Sequence, residues 1–173
     1  MRRLFRLALV GCAAVAISGA LAVGVWATAP PDHANKIDVT FHETAVVVTD
    51  NTATFGIRQL ILTSSWTLDG FGPVSDVTSV AQDTAVHPCG PGSSSEVATR
   101  RIVAGVGTLV LREAGIQCIT ASGPVFHGTY VVDGSASTSV FAGAQGSGSV
   151  TVQIAVHTTT LSGGLKLVQS SLA

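Results

Sequence analysis

"GTYVVDGSASTSVFAGAQGSGSV", residues 128–150, sets a tyrosine, a phenylalanine and several valines among glycines and small hydroxyl residues. Glycine inside a strand weakens it, but it also permits a sharp bend and a close approach between backbones. Gly143, Gly146 and Gly148 fall within six residues, at the entry to a regular alternating stretch. A flat, open sheet does not need the bends that such a cluster permits, so the segment predicts a β-sheet that curls into a barrel.

Outward from this segment, apolar and polar residues alternate with a period of two from Lys36 onward, which is typical of half-buried strands. KIDVTFHETAVVV predicts a first strand, and TDNT predicts the turn into ATFGIRQLILTS. We expect a last long strand from Val150 to His157, with a hairpin at residues 162–164. The fold expected for residues 36–173 is all-β: a single antiparallel β-barrel of about eight strands. Further strands are predicted in SWTLDG, VSDVTSVAQ, EVATRRIVAG, TLVLREAG, IQCITASG and VFHGTYVVDG.

The N-terminus predicts an export segment. Three arginines precede an uncharged run from Leu7 to Ala29, and small residues follow, so we expect a helical signal peptide over residues 1–27. An uncleaved membrane anchor is an alternative, since the run is long enough to span a bilayer. LVGC at residues 9–12 resembles a lipoprotein box, and RRLFR resembles a twin-arginine signal. Residues 28–35 form a proline-containing linker.

Charge excludes two classes of partner. Without residues 1–27, six basic residues remain against ten acidic ones, a formal charge of −4. A mildly acidic domain lacks the basic patch that nucleic acid or anionic lipid would need. We therefore expect a secreted protein with no nucleic-acid partner, and a membrane contact only through an uncleaved signal segment.

Two cysteines remain in the mature chain, Cys89 and Cys118. An extracellular compartment permits disulfides, so we expect these two to pair and to stabilise the fold by roughly 3 to 4 kcal/mol. Neither belongs to a C-x-x-C pair, so no zinc site is expected. The bridge would hold the loop HPCGPGSSSE, residues 87–96, against the strand that contains Cys118, where the loop could cover one mouth of a barrel.

Residues 107–152 carry a resemblance. The matching elements are Gly128-x-Tyr130, the turn Asp133-Gly134 and FAGAQGSGS at residues 141–149. On these elements the chain resembles secreted actinobacterial proteins with the eight-stranded barrel of the allene oxide cyclase and dirigent type. The resemblance implies a hydrophobic pocket within the barrel and a trimer, and it carries over no catalytic residue.

Four residues are candidates for ligand binding: Arg101, Glu113, His127 and Tyr130. Neighbouring residues on a strand face opposite sides, so one arginine of the Arg100–Arg101 pair points inward, lies at the rim or falls beyond the strand end. An inward arginine near Glu113 would form a buried ion pair. His127 and Tyr130 lie on opposite faces of one strand, so one of the two can face the interior.

The sequence indicates the function of the protein less directly than its fold. None of the nucleophile, metalloprotease or nucleotide-binding motifs is present, so no cofactor or metal is expected, and the sequence assigns no catalytic residue. We expect a secreted barrel that binds a small hydrophobic ligand non-catalytically. One alternative is a cyclase- or isomerase-like enzyme acting on a hydrophobic substrate. Another is a structural cell-surface protein whose barrel is filled by side chains.

Overall fold

A computed structural model describes residues 36–168. The expected signal peptide, the linker and the last five residues lie outside the described part. The structure is all-β, as predicted, and its strands form one antiparallel sheet. A short helix, α1 (Thr52–Phe55), and two 3₁₀ turns interrupt the strands. The strands are β1 (Lys36–His42), β2 (Thr44–Asn51), β3 (Ile57–Leu68), β4 (Gly72–Asp83), β5 (Ser94–Ala104), β6 (Gly107–Thr120), β7 (Gly123–Val132), β8 (Ser147–Gln153) and β9 (Thr158–Gly164).

The short connection between the two edge strands requires the sheet to curl. Neighbours run β1-β9-β8-β7-β6-β5-β4-β3-β2, so β1 and β2 are the two edges although only Glu43 separates them in the chain. Eight inter-strand steps of about 4.8 Å would place the edges of a flat sheet about 38 Å apart. A single residue spans about 7 Å between its neighbours. The edges therefore come together at Glu43, β1 also contacts β3, and the nine strands form a curled half-barrel.

Several predicted boundaries differ from the structure. The predicted strands ATFGIRQLILTS and SWTLDG form one strand, β3. The first predicted strand is divided at Glu43, because its two halves pair with different partners, β9 and β3. Two predicted strands are one, β6, which runs through Gly115 because that residue pairs directly with Gly128. The last long strand is also shorter than predicted. It ends at Gln153, and the 3₁₀ turn at Ile154–Val156 leads into β9, so residues 162–164 lie in a strand rather than in a hairpin turn.

Apolar side chains fill one half of the interior. Phe41 on β1 stacks on Trp66 of β3, with ring centroids 4.9 Å apart, so an aromatic contact joins the two ends of the sheet. Phe141 packs against Phe71 beneath them. Burial of this cluster is the main favourable contribution to folding. Its fully buried aliphatic members include Ile37, Ile102, Leu109, Leu111, Val150 and Leu161.

Two glycines make room for the buried Tyr130 ring. Gly148 on β8 pairs with Gly163 on β9, and both lie against this tyrosine. A Cβ at Gly148 would stand 2.6 Å from Tyr130 Cε1, and one at Gly163 would stand 2.5 Å from Tyr130 Oη. The glycine-rich stretch thus brings backbone close to an aromatic ring, as the pattern at residues 128–150 suggested.

Cys89 and Cys118 form the predicted disulfide, with Cα atoms 5.6 Å apart. The bridge holds the loop between β4 and β5 against β6. Within this loop, the Ser93 hydroxyl accepts the Cys89 N–H and donates to the carbonyl of Gly90, so the loop has its own hydrogen-bonded structure. Over residues 36–168, no helix has the length and apolar character needed to cross a membrane.

The packing around Tyr130 generates a prediction. Gly148→Ala should lower the free energy of unfolding by about 1–3 kcal/mol, because the added methyl group must displace backbone or the tyrosine ring. Gly105→Ala is the matched control, since a Cβ there meets nothing within 4 Å. Urea denaturation followed by circular dichroism measures both. Equal midpoints for the two variants would contradict the close approach.

Candidate functional site

One buried arginine organises the polar interior. The side chain of Arg100, in the middle of β5, is fully buried and binds three carboxylates. Its Nε donates to Glu113 on β6 at 2.6 Å, and its Nη1 donates to Glu43 at 2.6 Å and to Asp76 on β4. We call these four residues the charged floor. A buried guanidinium needs such partners, because desolvation of an unpaired ion is prohibitive.

The carboxylates of the floor have further partners. Thr159 on β9 donates its hydroxyl to Glu43, and Trp66 donates its indole N–H to Asp76 at 3.4 Å. Thr78 also donates to Asp76, at 3.2 Å. Through these contacts the floor connects Glu43, which lies between the edge strands β1 and β2, with strands β3 to β6 and with β9.

Burial and charge act in opposite directions on the floor. Burial raises the pKa of Asp76 and the pKa of Glu113, and the attraction of Arg100 offsets this only in part. Burial by itself would lower the pKa of Arg100, but the three carboxylates outweigh it and raise that pKa. The arginine is therefore permanently charged, whereas Asp76 and Glu113 hold protons more readily than exposed carboxylic acids do.

A cavity of about 250 Å³ lies over the charged floor. Arg100, Glu43 and Glu113 border it below, and apolar side chains form its walls. In the register of β4 and β5, Thr78 pairs with Arg100 at the floor, and the next inward pair up, Val80 with Ala98, faces the cavity. The other apolar wall residues are Ala45, Leu60, Leu62, Pro124, Phe126, Val152 and Ile154.

Polar groups return at the outer end of the cavity. The Gln82 amide nitrogen shares its two hydrogens among three acceptors, Ser94 at 3.0 Å, Glu96 at 2.8 Å and Gln117 at 3.0 Å, and we call these four residues the outer polar rim. Burial raises the pKa of Glu96. The disulfide-bonded loop borders this end, since a second cavity of about 230 Å³ is lined by Ser93 of the loop together with rim residues.

The structure separates the four candidate residues. Glu113 lies in the floor and lines the cavity. Tyr130 is its cross-strand neighbour, but it is buried in the apolar half and does not line the cavity; burial raises its pKa to about 12. Arg101 and His127 are exposed on the outer face. The inward arginine is Arg100, and the outward one is Arg101.

Sequence reasoning missed several site residues. Asp76 lies on the same face of β4 as Val74 and Val80, but only the pairing of that strand shows that this face is the inner one. Glu43 lies between two strands, and its role depends on the meeting of two edges that are distant in strand order. Gln82 is the last residue of the alternating stretch VSDVTSVAQ. That alternation was the one signal in the sequence that its polar side chain faces inward. His157, at the end of the predicted last long strand, also lines the cavity.

Comparisons of the chain with protein-family models, with curated proteins and with solved structures found no match.

The charged floor predicts unequal effects for two neighbouring arginines. Arg100→Met should lower the free energy of unfolding by about 3–5 kcal/mol at pH 7, because it leaves three buried carboxylates without their cation. Arg101→Met, the matched control on the exposed face, should leave the urea midpoint unchanged. Similar losses for both variants would contradict the inward assignment of Arg100.

The floor also predicts how stability depends on pH. Because the pKa of Glu113 is raised, the folded state retains the proton more strongly than the unfolded chain. This contribution is fully present below the ordinary glutamate pKa of 4.5 and is lost as the pH rises through the folded-state pKa. Glu113→Gln should therefore flatten the decline of unfolding free energy above about pH 4.5. Urea titrations at several pH values test this, with Arg101→Met as the baseline; an unchanged slope would contradict it.

Proposed function

We propose that the protein is a secreted β-barrel protein that binds a small hydrophobic ligand without transforming it. The observation that carries this proposal is the cavity of about 250 Å³, with apolar walls between a charged floor and a polar rim. Ligand sites in proteins are typically concave, mostly apolar and equipped with a few placed polar groups. A cavity of this size suits a small molecule, and its mouth lies between His157 and the outer polar rim.

Binding is favoured over catalysis because the floor groups are already engaged. Two nitrogens of Arg100 are held in ion pairs, and Glu43 accepts a hydrogen bond from Thr159 in addition. General acid–base catalysis needs a group within reach of substrate whose proton can be transferred. Groups that neutralise one another are better suited to orient a ligand than to exchange protons with it.

The proposal extends to the compartment and the assembly. The Cys89–Cys118 disulfide is consistent with an extracellular protein. Secretion through residues 1–27, a closed barrel and a trimer are proposals that rest on the sequence features and the resemblance given above. The meeting of β1 and β2 at Glu43 supports the barrel proposal, since it brings the two edges of the sheet together.

A cyclase- or isomerase-like enzyme is the second candidate. Glu113 lines the cavity, and burial raises its pKa, so this carboxyl group is the best-placed proton donor for a hydrophobic substrate. A ligand recovered from the protein and returned to it in excess would distinguish the two functions. Conversion to an isomer of equal mass would favour the enzyme, and unchanged recovery would favour binding.

The filled-barrel alternative receives less support. Side chains fill the half of the interior that contains Tyr130 and Phe141, as a structural protein would require. The half above the charged floor is open, and a cavity lined by apolar groups is costly unless something occupies it.

Blocking the cavity tests the proposed function. Ala98→Phe adds a ring where Ala98 lines the cavity, and it should weaken binding of the neutral apolar dye N-phenyl-1-naphthylamine at least tenfold. Ala81→Phe is the matched control, because Ala81 lies exposed on the outer face of the neighbouring strand. Dye fluorescence measures affinity, and urea denaturation verifies that both variants are folded.

Native mass spectrometry of the protein from its own source gives an independent test. A retained small molecule that is present in the Ala81→Phe variant and lost from the Ala98→Phe variant would support the proposal. Absence of both dye binding and a retained molecule would overturn it.

A further inference from the structure

Two buried polar atoms at opposite ends of the cavity lack a partner. Within residues 36–168, the buried side-chain atoms without a hydrogen bond include Arg100 Nη2, a donor, and Gln82 Oε1, an acceptor. Both residues line the cavity, and their exposed fractions are 0% and 5%. Ser64 Oγ and Tyr130 Oη are also unpaired, but neither residue lines the cavity. A buried polar atom left unbonded is costly, so a ligand that bonds both atoms gains affinity at both ends.

The strand register sets the spacing of the two backbone positions from which these side chains extend. Arg100 pairs with Thr78, and Gln82 lies four residues further along the same strand and faces the same side. At about 3.4 Å per residue, the two positions are roughly 14 Å apart along the strand. Val80 and Ala98 lie between them, so the space between the two polar atoms is apolar.

Charge at both ends selects against an anionic ligand. The floor already holds three carboxylates for one arginine, and Glu96 lies beside Gln82 at the rim. A carboxylate or phosphate ligand would add a further negative charge to a poorly solvated site that contains an excess of them. An ammonium group fails at the inner end for another reason, since it offers only donors to the free donor of Arg100.

Resting on the proposed function, we infer that the cavity takes a molecule without an acidic group, with an apolar body and a polar group at each end. The inner end carries an acceptor oxygen, a carbonyl or a hydroxyl, which accepts a hydrogen bond from Arg100 Nη2. The outer end carries a hydroxyl or an amide N–H, which donates a hydrogen bond to Gln82 Oε1. The charged floor thus excludes acids while its arginine still binds a neutral oxygen.

A series of eight-carbon probes tests the inference by displacement of N-phenyl-1-naphthylamine at pH 7.5. The probes are 1,8-octanediol, 1-octanol, octanoate and octylammonium. We expect the diol to bind at least tenfold more tightly than octanoate, and more tightly than 1-octanol and octylammonium, each of which has a polar group at one end only. Gln82→Met should reduce the affinity for the diol to that for 1-octanol, whereas Gln59→Met, on the exposed face of β3, should change neither.

Arg100→Lys tests the inner end, because lysine keeps the charge but can direct all its donors to the three carboxylates. It should weaken 1-octanol and the diol alike. If this variant does not fold, the probe series and Gln82→Met decide. Dye binding without a preference for the diol, or with octanoate preferred, overturns this inference and leaves the proposed function standing. Failure of the dye and of every probe to bind overturns both.

Discussion

The burial of Arg100 is the constraint on which the rest of the structure depends. Its guanidinium lies 5.5 Å from the centroid of the Phe41 ring and is neutralised by Asp76, Glu113 and Glu43, which come from separate parts of the chain. In a flat sheet, Glu43 and Arg100 would lie about 14 Å apart, because β2 and β5 are separated by three inter-strand steps. Only a curled sheet brings Glu43 to the arginine, and the curled sheet places the arginine where water cannot reach it.

The charged floor divides the interior into two halves with different properties. On one side, glycines at positions 148 and 163 let the backbone approach Tyr130, and the aromatic and aliphatic side chains pack without a large void. On the other side, smaller residues such as Ala98 leave a cavity. Packing on the first side holds the walls in place, so the cavity does not depend on a ligand for its shape. The charged floor separates the two halves.

Sequence reasoning reached the site in part, and its limit has a physical cause. Alternation left an inward arginine of the 100–101 pair as one of three possibilities, with Glu113 as its partner, and Arg100 and Glu113 both lie in the floor. Alternation does not say which of two faces is the inner one, so Arg101 was chosen where Arg100 is the buried residue. His127 and Tyr130 show the same ambiguity, since one is exposed and the other buried. Glu43 and Asp76 were missed because their contacts join strands that are far apart along the chain.

The amino-acid sequence by itself determined the all-β class, the antiparallel arrangement and the Cys89–Cys118 pairing, because these depend on local periodicity, turn residues and the small number of cysteines. Only the tertiary structure decided that the first strand divides at Glu43 and that a cavity lies above the Arg100 ion pairs. The reason is that a strand carries information about which residues share a face, whereas the meeting of the two sheet edges is a property of the whole sheet. Burial, and with it the chemistry of the interior, follows from that meeting.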